Sequence, residues 1–248
     1  MIVIYIIGFI HIDIDTTMTN HRRNRKTKDN KDVEDVVDIV KYNTKSLSIK
    51  KSSTLIIADW DDTLYPTSWI TENNVDLTNP KSRYKYIKYF DCLDVYLSAL
   101  LDYMMTLGEV MIITNAMLEW IELSVSILPK TKKSIEKIDV VSARQKYGNQ
   151  TTMANWKKHT FFDEVSRKLS SRKQRYNNII SMGDAEFEHN ALVNLYNKEI
   201  LPHKYLKSIK FIKSSNYNTL LEQIKMIKQN ISQICHMQRQ IDLTFDHP

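Results

Sequence analysis

From residue 53 onward the chain alternates short apolar runs with longer amphipathic stretches, and this restricts the fold more than any other feature. STLIIAD (53–59) is β-branched and apolar without a polar face, as a strand buried on both sides is. Residues 84–107 carry Tyr86, Phe90, Leu93, Leu97 and Leu100 at three- and four-residue spacing, which predicts a helix. EVMIITN (109–115) predicts a second strand, followed by a helix over 116–127 and a short one near 131–137. IDVVSA (138–143) reads as a third strand, 151–169 as a helix and NNIISMGD (177–184) as a fourth strand with a helix starting after it. YLKSIKFIK (205–213) alternates as a fifth strand, and 217–236 is a final amphipathic helix. Strands joined through helices imply right-handed crossovers, so the fold class is α/β, a doubly wound parallel sheet.

Such sheets bind ligands beyond the carboxyl ends of their strands. The first strand ends in Asp59, with Asp61, Asp62 and Thr63 just beyond, and the second in Thr114–Asn115. The third ends in Ser142, Ala143 and Arg144, and the fourth in Gly183–Asp184. Lys157 lies on the helix between strands three and four. Carboxylates, a hydroxyl and a lysine therefore gather along one edge. Strand-end acids ordinarily serve turns and helix caps. That role accounts for one acid in this stretch but poorly for three within four residues.

Residues 1–51 read as a basic, flexible N-terminal extension, and 52–244 as the folded α/β domain. The apolar run Met1–Ile10 stops at Asp13 and Asp15, short of the ~20 residues of a membrane span. It lacks a basic leader and a small-residue cleavage site, so secretion through it is disfavoured and no stable membrane association is expected. NHRRNRKTKDNK (20–31) holds seven basic residues, counting His21, against one acid. It reads as a solvated linker, or alternatively as a patch for nucleic acid or nuclear import. The net charge of +6 agrees with an anionic partner. Cys92 and Cys235 have no metal-type spacing, which argues against zinc and a disulfide frame and for a reducing compartment, cytoplasmic or nuclear.

DWDDT (59–63) resembles the first motif, Asp-x-Asp-x-Thr, of the haloacid dehalogenase superfamily. The strand ending in Thr114 resembles its second motif, Lys157 in NWKK its third, and GDAEFE (183–188) its fourth. The resemblance covers roughly residues 53–242, and WDDTLxPxxW further resembles members from eukaryotic microbes and large DNA viruses. It implies a Rossmann-like phosphatase acting through an aspartyl phosphate. Asp59 would be the nucleophile and Asp61 the general acid and base, with Thr114 and Lys157 holding the phosphoryl oxygens. Mg²⁺ would be held by Asp59, Asp61 through its backbone carbonyl, Asp184 and Glu188. Trp60, Thr63 and Asn115 would lie against the substrate.

Two departures stand out: Asp62 where glycine is frequent, and Glu188 where aspartate is frequent. The acid at Asp61 argues against a dehalogenase reaction and for expulsion of an alcohol, hence phosphomonoester hydrolysis. Some roles have rivals. Lys146 could replace Lys157, Glu188 could pair with His189, His159 and His189 read as surface or capping residues, and Trp60 and Trp69 could be core aromatics. The stretch 64–83 leaves space for a small flap, and neither it nor the 115–156 segment can house a full cap domain. Capless members of the resembled superfamily have open sites that accept macromolecular phosphates, so the resemblance implies a phosphate on a phosphoprotein or a nucleic acid. Two alternatives remain: a catalytically silent regulatory or binding protein, and a nucleic-acid-binding protein that uses the basic arm.

Overall fold

The computed structural model describes residues 49–171, 176–197 and 204–246. The expectations for the extension and its basic stretch lie outside these residues. Among them the strands are β1 (Thr54–Ala58), β2 (Glu109–Thr114), β3 (Asp139–Ser142), β4 (Asn178–Gly183), β5 (Tyr205–Lys210) and β6 (Ile241–Thr244). They form one sheet in the order β3-β2-β1-β4-β5-β6, parallel throughout.

The helices are α1 (Thr67–Glu72), α2 (Pro80–Lys85), α3 (Ile87–Leu107), α4 (Leu118–Val125) and α5 (Pro129–Ile135). They continue with α6 (Ala143–Tyr147), α7 (Met153–Ser171), α8 (Glu186–Asn197) and α9 (Tyr217–His236). Alternation along β1 builds two cores. Ile56 and Ala58 pack with Leu93 and Leu97 of α3, Ile121 of α4 and Ile224 of α9, while Leu55 and Ile57 pack with Phe161 of α7 and Ala191 of α8. Each fully buried aliphatic side chain contributes about 1.5–3 kcal/mol by leaving water. A sheet covered on both faces is the doubly wound α/β fold that the strand–helix alternation predicts.

Three elements differ from the sequence reading. The helix expected over 84–107 is two, α2 and α3, broken at Tyr86, whose backbone leaves the helical path (φ −111°, ψ 13°) and whose ring packs edge-on against Trp69. Ser142 ends β3 and at once caps α6 by accepting from the Gln145 N–H at 3.1 Å, so Ala143 and Arg144 are helical. A sixth strand, β6, pairs with the free edge of β5. Between β1 and α3 the chain forms only α1, α2 and their loops, a flap without a cap domain. No helix among the described residues is long and apolar enough to cross a membrane.

Candidate active site

The strand order reverses direction at β1, whose neighbours are β2 and β4. A crevice at the carboxyl edge forms at such a switch point. Asp59 follows β1, and its N–H donates to the Met182 carbonyl of β4 at 2.9 Å. This bond carries the ladder one residue past the strand and fixes Asp59 beside the end of β4, where Asp184 follows.

Beyond Asp59 the chain coils tightly. The N–H groups of Leu64 and Tyr65 both donate to the Trp60 carbonyl at 2.9 Å. Asp62 takes the left-handed conformation (φ 52°) that costs a residue with a Cβ about 1 kcal/mol. Its carboxylate offsets that cost by accepting from the Ser68 N–H (2.8 Å) and hydroxyl (2.5 Å), which fastens the flap at α1. Glycine would adopt the turn freely but could not tie down the flap.

Trp60 points away from the site and corrects the expectation of substrate contact. It is fully buried, stacks on Tyr65 at 5.6 Å, and donates Nε1–H to the Ser124 hydroxyl at 3.1 Å. Thr63 is also fully buried. Its hydroxyl has no partner.

Asp61 turns its carboxylate toward the flap, accepting from the Thr67 hydroxyl and from Trp120 Nε1–H at 2.9 Å. Its side chain is thus engaged, leaving the backbone carbonyl as its means of holding a cation. Burial lifts the Asp61 carboxyl above the usual range, helped by Asp59 and opposed by these two hydrogen bonds. A carboxyl with raised proton affinity is suited to deliver a proton.

Lys157 of α7 is buried between two acids, 2.7 Å from Asp59 Oδ1 and hydrogen-bonded to Glu188 Oε1. Burial would lower its proton affinity; the charges of Asp59 and Glu188 reverse that and keep it cationic. Lys146 instead pairs with Asp163 (3.2 Å) and Glu164 (3.0 Å). His189 meets Ser208 at 3.3 Å, so Lys157 and not His189 is the partner of Glu188.

Asp184 carries the clearest electrostatic signature. Burial, then the charges of Asp59, Glu188 and Asp62, push its carboxyl up to about 7, with Lys157 opposing. Glu188 is raised by burial, with the charge and hydrogen bond of Lys157 opposing and the charge of Asp59 helping, and its Oε2 has no partner. It folds back over Gly183, where an added Cβ would collide with its carboxylate. Thr114 is buried with its hydroxyl accepting from the Ala116 N–H at 3.0 Å, and Asn115 beside it has an unpartnered Oδ1.

Asp59 and Glu188 thus share the Lys157 ammonium, and Asp184 feels the charge of both, leaving more carboxylates than cations and one orphaned carboxylate oxygen. An all-oxygen, overcharged set of this kind fits a hard divalent cation such as Mg²⁺. Among the described residues no three acidic, thiol or imidazole side chains form a ready-made metal cage.

No protein-family model matches the chain, and neither does any curated protein sequence. Solved structures do resemble it. The Legionella pneumophila effector Ceg4, carrying an N-terminal protease-cleavage sequence, is 14% identical, with 74% of this chain and 97% of that one covered at a TM-score of 0.41. The HAD domain of the L. pneumophila effector Lem4 is 12% identical, over 75% of this chain and 99% of that one, with a TM-score of 0.42. The fold assignment rests on this chain's own strand order.

Several residues that shape the site escaped the sequence reading. Trp120 reaches Asp61 from α4, across 59 positions, and no local pattern marks it. Thr67 and Ser68, in contrast, follow the acidic cluster by six residues, and hydroxyls at a helix start are a recognisable signal.

Proposed function

We propose that the chain is a Mg²⁺-dependent phosphomonoester hydrolase of the haloacid dehalogenase type. One observation carries this reading: Asp59 stands at the sheet's switch point, 2.7 Å from a buried lysine, with the Asp61 carboxyl, raised above its usual range by burial, two residues on. Lys157 and the Thr114 hydroxyl bind and orient the phosphoryl oxygens, and Lys157 offsets charge that develops on them. An Asp59 carboxylate oxygen bonds to phosphorus while the ester P–O bond breaks, and the proton on Asp61 passes to the departing oxygen. Water then attacks phosphorus, Asp61 takes up its proton, and the Asp59–phosphorus bond breaks to release phosphate. Asp59, Asp184 and the Asp61 carbonyl would hold Mg²⁺, with Glu188 beside them; the cation would neutralise the clustered charge and polarise the phosphoryl group. Asn115 and Thr63, each with an unpartnered side-chain oxygen, remain candidates for substrate contact, whereas Trp60 serves the core.

The test is turnover of an aryl phosphate by the full chain with Mg²⁺ and with chelator. Hydrolysis that requires the metal is expected. Absence of turnover under both conditions would favour a silent, partner-binding role.

A further inference from the structure

Residues 80–89, PKSRYKYIKY, alternate cations with aromatic rings, and the reading above uses none of them. Lys81, Arg83, Lys85 and Lys88 are bounded by Asp76 and Asp91, and among the described residues none of the four is ion-paired with a carboxylate. Tyr84 is 78% exposed and Tyr89 42%, too open for either ring to be a core residue. The topology places this segment on the site's edge. α3 leads into β2, which runs parallel to β1, so α3 begins at the carboxyl edge and ends at the amino edge. α9 follows β5 and begins at the same edge, where Tyr217 packs on Tyr89 at 4.9 Å and donates its hydroxyl to the Tyr89 carbonyl at 2.6 Å.

The flap connects the segment to the site. Thr67, bonded to Asp61, lies two residues before Trp69, and the Trp69 ring packs against Tyr89 at 5.1 Å. Trp69, Tyr89 and Tyr217 together with Glu72 and Asn218 line a cavity of about 310 Å³, open to solvent. A cavity walled by rings and edged by a carboxylate and an amide has the size and chemistry for one planar heterocycle.

We infer that this surface binds single-stranded nucleic acid and delivers a terminal phosphate to Asp59, an inference that rests on the phosphatase reading. Lys81, Arg83, Lys85 and Lys88 meet the backbone phosphates, while Tyr84 and the ring-lined cavity take the bases. Cations give affinity without sequence preference, and exposed rings stack on any base. An acidic phosphopeptide would use the cations but leave the exposed Tyr84 ring idle.

The experiment measures binding of a dye-labelled DNA strand of about twelve nucleotides to the full chain in chelator, across a salt series. Neutralising Lys81, Arg83, Lys85 and Lys88 together to Gln removes up to four phosphate contacts. At about 0.7 per contact, the slope of log affinity against log salt should flatten by about 3. Tyr84→Ala should weaken binding of the strand about tenfold and leave binding of a doubly phosphorylated acidic peptide unaffected. The basic stretch 20–31 is present in every variant and cancels in the comparison. An unchanged salt slope, equal affinity for the same strand in a duplex, or a peptide bound as tightly as the strand with indifference to Tyr84 would each overturn the inference. Wild-type turnover of an aryl phosphate is read separately. If turnover persists without strand binding, only this inference fails; if binding persists without turnover, the phosphatase reading and delivery to Asp59 fail together, and strand binding alone stands.

Discussion

Asp184→Asn should stabilise the metal-free protein, against the usual outcome of altering a buried polar residue. The Asp184 carboxyl has an ordinary value of 3.8 and is pushed up to about 7 in the fold, by burial and by neighbouring carboxylates. A folded-state value above the unfolded one means that the folded chain binds more protons between these pH limits. Stability therefore falls as pH rises from about 4 to about 7, and the whole penalty is present above 7. The interval from 3.8 to about 7, at about 1.4 kcal/mol per pH unit, sets the penalty at up to about 4 kcal/mol. Asparagine keeps the shape and removes the charge. In urea unfolding with chelator, the variant should exceed wild type by up to about 4 kcal/mol near pH 8 and by about half as much near pH 5.5. Mg²⁺ should raise the wild-type midpoint by binding the native state and leave that of the variant nearly unmoved. A variant no more stable than wild type at pH 8, or one equally stabilised by Mg²⁺, would refute the charge-cluster reasoning.

Asp61→Asn should slow alkyl phosphate hydrolysis far more than that of activated aryl phosphates, whose leaving groups need little protonation; equal losses would reduce Asp61 to a flap anchor for Thr67 and Trp120. Gly183→Ala should cost about 1–3 kcal/mol in chemical denaturation, because the new methyl meets the Glu188 carboxylate and must displace it from Lys157. An unaltered stability would show that Glu188 is free to move. Deleting residues 1–48 should leave aryl phosphate turnover intact, since every proposed catalytic residue lies beyond position 55. Loss of turnover in a folded truncation would place the extension in the active site.

Much of the fold was legible because strands buried on both faces must be apolar throughout. LIIA of β1 and VMII of β2 announce themselves in that way, and β4 does so through Ile179, Ile180 and Met182. The break at Tyr86 was not legible, since Tyr86 keeps the apolar spacing of α3, and its packing on Trp69 is a tertiary contact no local pattern announces. β6 hides for the opposite reason. Its IDLT is an edge strand with alternate residues exposed, and only the open side of β5 gives it a partner. At the site, Asp59, Thr114 and Asp184 could be placed on one edge from strand ends, and Lys157 from the start of the helix between the third and fourth strands. The direction of each side chain could not. Asp59 and Trp60 are adjacent, yet one enters the crevice and the other the core, a division set by the coil around the Trp60 carbonyl and the left-handed turn at Asp62. The excess of buried carboxylate around one lysine likewise emerges only when β1, α7 and α8 are brought together.

The central claim is that Asp59 attacks phosphorus, and acid-quenched turnover followed by peptide mass spectrometry tests it most directly. With Mg²⁺ and an aryl phosphate in excess, the peptide holding Asp59 should gain the mass of one phosphoryl group. The adduct should be lost on hydroxylamine treatment, as an acyl phosphate is, and should be absent from Asp59→Asn. Steady turnover with no adduct on that peptide, or with Asp59→Asn retaining ordinary activity, would contradict the account.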